Sequence, residues 1–257
     1  MSNSSLVSYT KISPHRTSPR NHIIDTVSIH CVVGQCTVQS LGNGFANPNR
    51  KASSNYGIGY DGKIGMYCEE KDRSWCTSSA SNDHRAITIE VASDTKHPYR
   101  VTDAAYKALI ELLVDICKRN PDIGTLKWQG DKRLIGQIAK QNMTVHRWFA
   151  AKACPGDYLY NLHPQIAKEV NARLGVKTEE KKPVTNGSFQ VRINVKDLNI
   201  RKGPGTNYAK TGKRTGTGVF TIVEVQNGTG AKSGWGLLRS YEKNRDGWIS
   251  LDYATRI

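Results

Sequence analysis

The chain of 257 residues carries 37 Lys and Arg against 22 Asp and Glu, a formal charge of +15, and 37% of its residues are hydrophobic. That length suits two modest domains of about 100–200 residues each, and no run of about 18 apolar residues is present to form a membrane-spanning helix. Such an excess of positive charge points to a polyanionic partner, whether nucleic acid, a membrane surface or an anionic cell wall.

The charge is spread along the chain, with a net +7 in residues 1–174, +1 in 175–188 and +7 in 189–257. No helix-turn-helix, zinc-finger or aromatic-stacking pattern accompanies it, so nucleic acid is not the expected partner. Six cysteines, Cys31, Cys36, Cys68, Cys76, Cys117 and Cys154, are too sparse and irregular for a disulfide framework. Met1-Ser2-Asn3-Ser4-Ser5 lacks the basic region and apolar stretch of a secretory signal. Synthesis in the cytosol and reduced thiols are expected, with Cys31 and Cys36 near enough to bridge only in an oxidising setting.

In chain order, residues 6–10 alternate as an edge strand and 13–22 form a turn-rich basic loop. Residues 25–30 alternate as a strand with His30 at its tip. A short helix is expected over 37–41, ended by Gly42 and Gly44. Asp61-Gly62 supplies the positive φ of a tight turn, which makes a hairpin of 54–60 and 63–67. Residues 69–83 read as a polar loop. In 87–91, Thr88 and Glu90 share one strand face while Ile87, Ile89 and Val91 share the other.

Thr102-Asp103 opens a helix to residue 118, in which Ala105, Leu109, Leu112, Leu113 and Ile116 recur at helical spacing. A shorter helix is expected over 131–140 and a third over 157–174, stopped at Gly175. Strands alternating with helices predict an α/β domain over residues 1–175, with a central mixed sheet and flanking helices. Residues 176–188, charged and punctuated by Pro and Gly, read as a linker. Beyond residue 189 no helical period survives. Short strands at 191–195, 198–201, 219–225, 235–238 and 247–249, separated by glycine-rich turns, predict a small all-β barrel over 189–257.

The strongest chemical signal is His146-Arg147-Trp148-Phe149-Ala150-Ala151-Lys152-Ala153-Cys154-Pro155-Gly156, which puts an imidazole, an ammonium and a thiol into one loop. Zinc takes His nitrogen and Cys sulfur most readily, and a catalytic zinc uses three protein ligands. His30 is the best third ligand, since a strand end is a stiff support. Taken alone, the loop is equally well explained by a buried Cys154 and ordinary polar histidines. His22, His84, His97 and His163 have no partner at metal spacing and read as surface or structural.

His146, Lys152 and the Cys154-Pro155-Gly156 turn resemble the C-terminal motif of the zinc-dependent N-acetylmuramoyl-L-alanine amidases, the amidase type 2 family, whose fold is shared with peptidoglycan-recognition proteins and many phage endolysins. Residues 27–31 resemble the family's first ligand strand, 53–62 its central hairpin and 86–91 its acidic strand, so the likeness spans roughly residues 7–174. The resemblance implies Zn2+ held by His30, His146 and Cys154, Glu90 as general base and Lys152 as stabiliser of the oxyanion. It also offers Asn55, Tyr56 and Trp75 as substrate-binding residues. The family's hairpin tyrosine position is Ser54 here, which leaves the base role to Glu90 with Tyr56 as a substitute on the same strand face. Trp75-Cys76 stands where relatives carry Trp-His.

A second resemblance covers residues 198–208, Gly234-Trp235 and 246–253, which look like a bacterial SH3-like cell-wall-binding domain. Its aromatic contacts with the wall would be Tyr208, Trp235, Trp248 and Tyr253. Together the two resemblances imply a monomeric phage endolysin, made in the host cytoplasm, that reaches the wall after the membrane is breached. It would cut the amide between N-acetylmuramic acid and L-alanine in bacterial peptidoglycan, with no nucleic-acid partner and no membrane insertion. The alternative is a non-catalytic peptidoglycan-binding protein, or a host autolysin, of the same fold.

Overall fold

Two large sheets, each over its own core, and a two-stranded pair organise the described residues. The structure, a computed structural model, describes residues 2–175, 188–238 and 247–257, and contacts divide the chain into two units, Met1–Thr178 and Glu179–Ile257. The linker expected at 176–188 lies outside the described residues except for Ser188.

The first unit runs β1 (Tyr9–Thr10), β2 (Arg16–Thr17), β3 (Thr26–Cys31), α1 (Val38–Ala46), β4 (Tyr56–Ile58), β5 (Ile64–Met66), β6 (Arg73–Ser74), α2 (Ala80–Arg85), β7 (Ala86–Val91), α3 (Asp103–Arg119), β8 (Met143–Thr144) and α4 (Gly156–Arg173), with 3-10 turns at Lys132–Leu134 and His146–Trp148. Six strands form one mixed sheet in the order β1-β5-β4-β7-β3-β8, antiparallel only between β4 and β5. All six residues of β3 are buried, as expected for a strand covered on both faces. Val27 and Ile29, with Ile87 and Ile89 of β7, enter the core formed with Leu109, Leu112 and Leu113 of α3 and Leu159, Ile166 and Val170 of α4. The register pairs Ser28 with Thr88 and His30 with Glu90. Paired residues of parallel strands point the same way, so the polar faces of β3 and β7 coincide.

Local expectations fail where tertiary contacts intervene. The helix expected over 37–41 continues through Gly42 and Gly44 to Ala46, because Gly42 is a packing position: a Cβ there would lie 2.9 Å from Tyr9 Cε1 and 3.1 Å from Tyr67 Cε1. The helix expected over 131–140 reduces to the turn at Lys132–Leu134. None of its ten residues is buried, so no apolar face holds a longer helix to the core. The loop expected over 69–83 contains β6 and the start of α2, organised by the buried Asp83 carboxylate, which accepts from Cys76 N at 3.0 Å and Thr77 Oγ1 at 2.6 Å. The hairpin turn is as expected, with Gly62 at φ +80 and its α-carbon so close to Ala104 that a Cβ would meet the carbonyl oxygen at 2.9 Å.

In the second unit the strands are β9 (Phe189–Ile193), β10 (Asn199–Arg201), β11 (Lys210–Arg214), β12 (Gly218–Gln226), β13 (Trp235–Leu238), β14 (Gly247–Ser250) and β15 (Ala254–Arg256). They form an antiparallel sheet in the order β11-β10-β14-β13-β12-β9-β15 over Val191, Ile193, Leu198, Ile200, Ile222, Leu238 and Ile249. The two strands not expected from sequence, β11 and β15, are the edges of this sheet. Among the described residues each pairs on one side only, and the charged Lys210–Arg214 lacks apolar alternation. No helix among the described residues is long and apolar enough to cross a membrane.

Candidate metal centre

β3 delivers His30, which is fully buried, and the segment after β8 delivers His146 in a 3-10 turn and Cys154 just before α4. The ligand atoms of these three residues lie within 4.8 Å of one another. Cys154 Sγ is 3.4 Å from His30 Nδ1, and the two imidazole centroids are 5.2 Å apart. Arg147 stitches the loop that brings His146 and Cys154 together. Its backbone N–H donates to Cys154 O at 3.1 Å, Nη2 to Ala153 O at 2.6 Å, and Nη1 to Asp157 Oδ1 at 2.9 Å. Gly156 then starts α4 at φ +77, where a Cβ would sit 2.9 Å from Pro98 O, so a larger residue could not enter the helix here without displacing the loop.

The remaining atoms of the ligand residues are also held. His30 Nε2 lies 3.0 Å from Ser28 Oγ, His146 Nε2 lies 3.3 Å from Ser78 Oγ, and Cys154 Sγ accepts from the Cys31 backbone N–H at 3.3 Å. Ser78 adopts φ +64, a left-handed conformation that costs a serine about 1 kcal/mol or more and is tolerated where the surroundings impose it. Neither Ser28 nor Ser78 was named from sequence. Ser28 carried a signal, since it shares the strand face of His30; Ser78 carried none, because its loop reaches His146 from 68 positions away.

Burial, reinforced by His146 and His163, pushes the His30 imidazole down to about 3. His146 is lowered by burial and then by the Lys152 ammonium. Both rings are therefore held neutral, the form in which imidazole ligates a metal. Burial raises the Cys154 thiol, so a thiolate there calls for a compensating cation. Burial, followed by Cys31, pushes Glu90 up to about 8. Part of Glu90 reaches the surface, yet its Oε2 is sealed from solvent without a hydrogen-bond partner, while Oε1 accepts from the Cys76 thiol at 3.9 Å. Two imidazoles and one thiol suit zinc, and an unpartnered carboxylate oxygen beside them suits a polar ligand of that zinc. His30, Cys76 and Glu90 form a second triangle of donor atoms within 4.8 Å, so Cys76 belongs to the centre as well.

Lys152 stands exposed in the loop between His146 and Cys154. Trp75 is half-buried beside Cys76, its Nε1–H donating to Thr17 Oγ1 at 3.0 Å and its ring 5.8 Å from that of His15. Two substrate-binding expectations are corrected. Asn55 is fully buried; its amide donates to the carbonyls of Cys68, Glu69 and Asp72 and accepts from the Thr88 N–H, which uses it up in the fold. Tyr56 is not on the face of Ser54. It pairs with Ile89, and its hydroxyl donates to Glu70 Oε1 at 2.6 Å and accepts from Ser4 N at 2.9 Å, whereas Ser54 Oγ turns to Thr88 Oγ1 at 3.1 Å.

Two wall-binding expectations are corrected likewise. Trp235 and Trp248 are 2% and 9% exposed, so their faces pack within the second unit, whereas Tyr208 and Tyr253 are exposed. His163 is buried, with Nδ1 2.7 Å from Leu159 O and its ring against Trp128 at 4.3 Å. His22 and His97 are exposed and His84 half-buried. All six cysteines, Cys31 and Cys36 included, are free.

The family model described as N-acetylmuramoyl-L-alanine amidase matches residues 19–157, a span containing His30, Glu90, His146, Lys152 and Cys154. No curated protein sequence matches the chain. Among solved structures, a selenomethionine derivative of AmpD is 20% identical, covering 65% of this chain and 99% of its own, with a TM-score of 0.47. The N-acetylmuramoyl-L-alanine amidase LysC from Clostridium intestinale URNW is 20% identical over 66% of this chain and 96% of its own, with a TM-score of 0.39. A mutant endolysin from Bacillus subtilis is 14% identical over 63% of this chain and 97% of its own, with a TM-score of 0.42.

Proposed function

The chain belongs to the N-acetylmuramoyl-L-alanine amidase family, and on that premise we propose that its first unit is a Zn2+-dependent hydrolase of the amide bond between N-acetylmuramic acid and L-alanine in bacterial peptidoglycan. The supporting observation is the convergence of His30, His146 and Cys154, up to 124 positions apart in sequence, on one point within 4.8 Å. His30, His146 and Cys154 would hold the Zn2+, which when bound would polarise the substrate's amide carbonyl and acidify a water towards a pKa of ~7.

The protein's own groups divide the remaining work. Glu90, with one carboxyl oxygen sealed and unpartnered, would be drawn from its raised value to the ionised form by the charge of a zinc ion beside it, and could then take a proton from water and return it to the leaving amine. Lys152 brings its ammonium to the charge that develops on the carbonyl oxygen as that carbon becomes tetrahedral. Trp75, next to Cys76, is the remaining candidate of the substrate groove. Tyr56 has no part in this, since its hydroxyl is committed to Glu70 and Ser4.

The second unit acts in this proposal as an SH3-like cell-wall-binding module. It carries a net +7 towards an anionic wall and presents Tyr208 and Tyr253 as its exposed aromatic faces. The whole chain then works as a monomeric endolysin of the phage type. Incubation with purified walls should release free L-alanine amino termini without new reducing sugars, and zinc chelation should abolish the release until zinc is restored. New reducing ends without amino termini would make the protein a glycosidase and sink the proposal.

A further inference from the structure

Ser28 and His30 lie two residues apart on β3, hence on one face of the strand, and both are fully buried. Ser28 Oγ is 3.0 Å from His30 Nε2 and 3.2 Å from the backbone carbonyl oxygen of Thr144, the residue paired with it across β3 and β8. A carbonyl oxygen only accepts, and a hydroxyl has one proton to give. When Ser28 gives that proton to Thr144 O, its oxygen can only accept from His30, so Nε2 carries the ring proton. Nδ1 is then the nitrogen with the free lone pair, and it is Nδ1 that faces Cys154 Sγ at 3.4 Å. The opposite assignment puts the ring proton on Nδ1, aimed among the proposed ligands, and leaves the contact between Ser28 and Thr144 O without a donor.

We propose that Ser28 is a positioning residue for the metal: anchored on the Thr144 carbonyl, its hydroxyl holds His30 in the Nε2–H tautomer and presents Nδ1 as the ligand. This inference rests on the zinc reading of the site. Thr144 lies two residues before His146, so the same hydroxyl links the strand bearing one histidine to the segment bearing the other. Hydrogen bonds to the far nitrogen of a ligating histidine fix its tautomer and ring orientation, and their loss lowers metal affinity by about 10–100-fold.

The test uses the full chain. In the metal-free parent, two-bond nitrogen–proton correlation spectra should show His30 protonated at Nε2 and bare at Nδ1; a ring protonated at Nδ1 overturns the proposal. Ser28→Ala should bind zinc about 10–100-fold more weakly in competition with a chromophoric chelator. It should also give a mixture of His30 tautomers, while the metal-free chain keeps a thermal midpoint near that of the parent. Unchanged zinc affinity in Ser28→Ala beside a zinc-binding parent overturns the role of Ser28 alone, whereas a parent that binds no zinc overturns the metal reading and this inference with it. Should Ser28→Ala fail to fold, the tautomer in the parent still decides.

Discussion

One face of the first unit's sheet buries a stripe of polar side chains, with Ser28, His30, Ser54, Asn55, Cys76 and Thr88 all 9% exposed or less; the second unit's core consists of aliphatic residues such as Val191, Ile193, Ile200, Ile222 and Ile249. Removing polar groups from water costs free energy unless they find partners. The first unit meets that demand with hydrogen bonds among Ser54, Asn55, Ser74 and Thr88, and leaves Glu90 Oε2 without a partner. The second unit hides even Trp235 and Trp248, so what it offers to a ligand lies on its exposed face. On the proposed function, chemistry is buried in one unit and wall contact lies on the surface of the other, and mutations can break that division.

The largest effect should come from the centre itself. Cys154→Ser is expected to lose zinc and amidase activity together, whereas Glu90→Gln should keep stoichiometric zinc and fall by about 10²–10⁴ in turnover, the usual worth of a positioned acid–base group. Metal analysis of both variants beside the product assay checks this, and full turnover in Glu90→Gln would move the base role elsewhere.

Acid should separate the two units next, because all seven histidines lie in residues 1–163. Burial pushes His163 down to about 4, below its ordinary value near 6.5. Between those two values the unfolded chain takes up a proton that the folded chain refuses, so the stabilisation is complete above about pH 6.5 and is lost as pH falls towards about 4. The loss is on the order of 3 kcal/mol. Calorimetry across this range should show the first unit's transition falling and the second's nearly unchanged, with a shallower fall in His163→Phe. Equal acid sensitivity of both transitions would contradict the comparison.

The smallest effect concerns the exposed aromatics. Tyr208→Ala and Tyr253→Ala should each weaken retention on walls by roughly 1 kcal/mol, about five-fold, with soluble-substrate turnover unaltered. Wall pull-down beside unfolding curves tests it: a drop in stability matching the drop in retention would make these residues structural instead.

How far the amino-acid sequence determines this protein depends on the range of the interaction concerned. The hairpin at Asp61-Gly62, α3 with its Thr102 cap, and the gathering of His146, Lys152 and Cys154 into one loop were legible, because a turn, a helical period and a short loop depend on neighbours in the chain. Alternation likewise placed Glu90 on the polar face of β7. What lay beyond reach was decided by contacts between distant segments. Counting two residues puts Tyr56 on the face of Ser54, but the bonds of Asn55 to Thr88 and to the carbonyls of Cys68, Glu69 and Asp72 accompany a break in that alternation. The phenol consequently turns to Glu70. Gly42 looked like a helix stop until Tyr9 and Tyr67 packed against it. Aromatic character marks Trp235 and Trp248 as candidates for binding, yet both are buried within the second unit. Ser28 meets the Thr144 carbonyl across 116 positions. Local spacing dictates which residues share a period, whereas the direction each side chain faces, and what it meets there, follows from strand pairing and packing that the spacing does not encode.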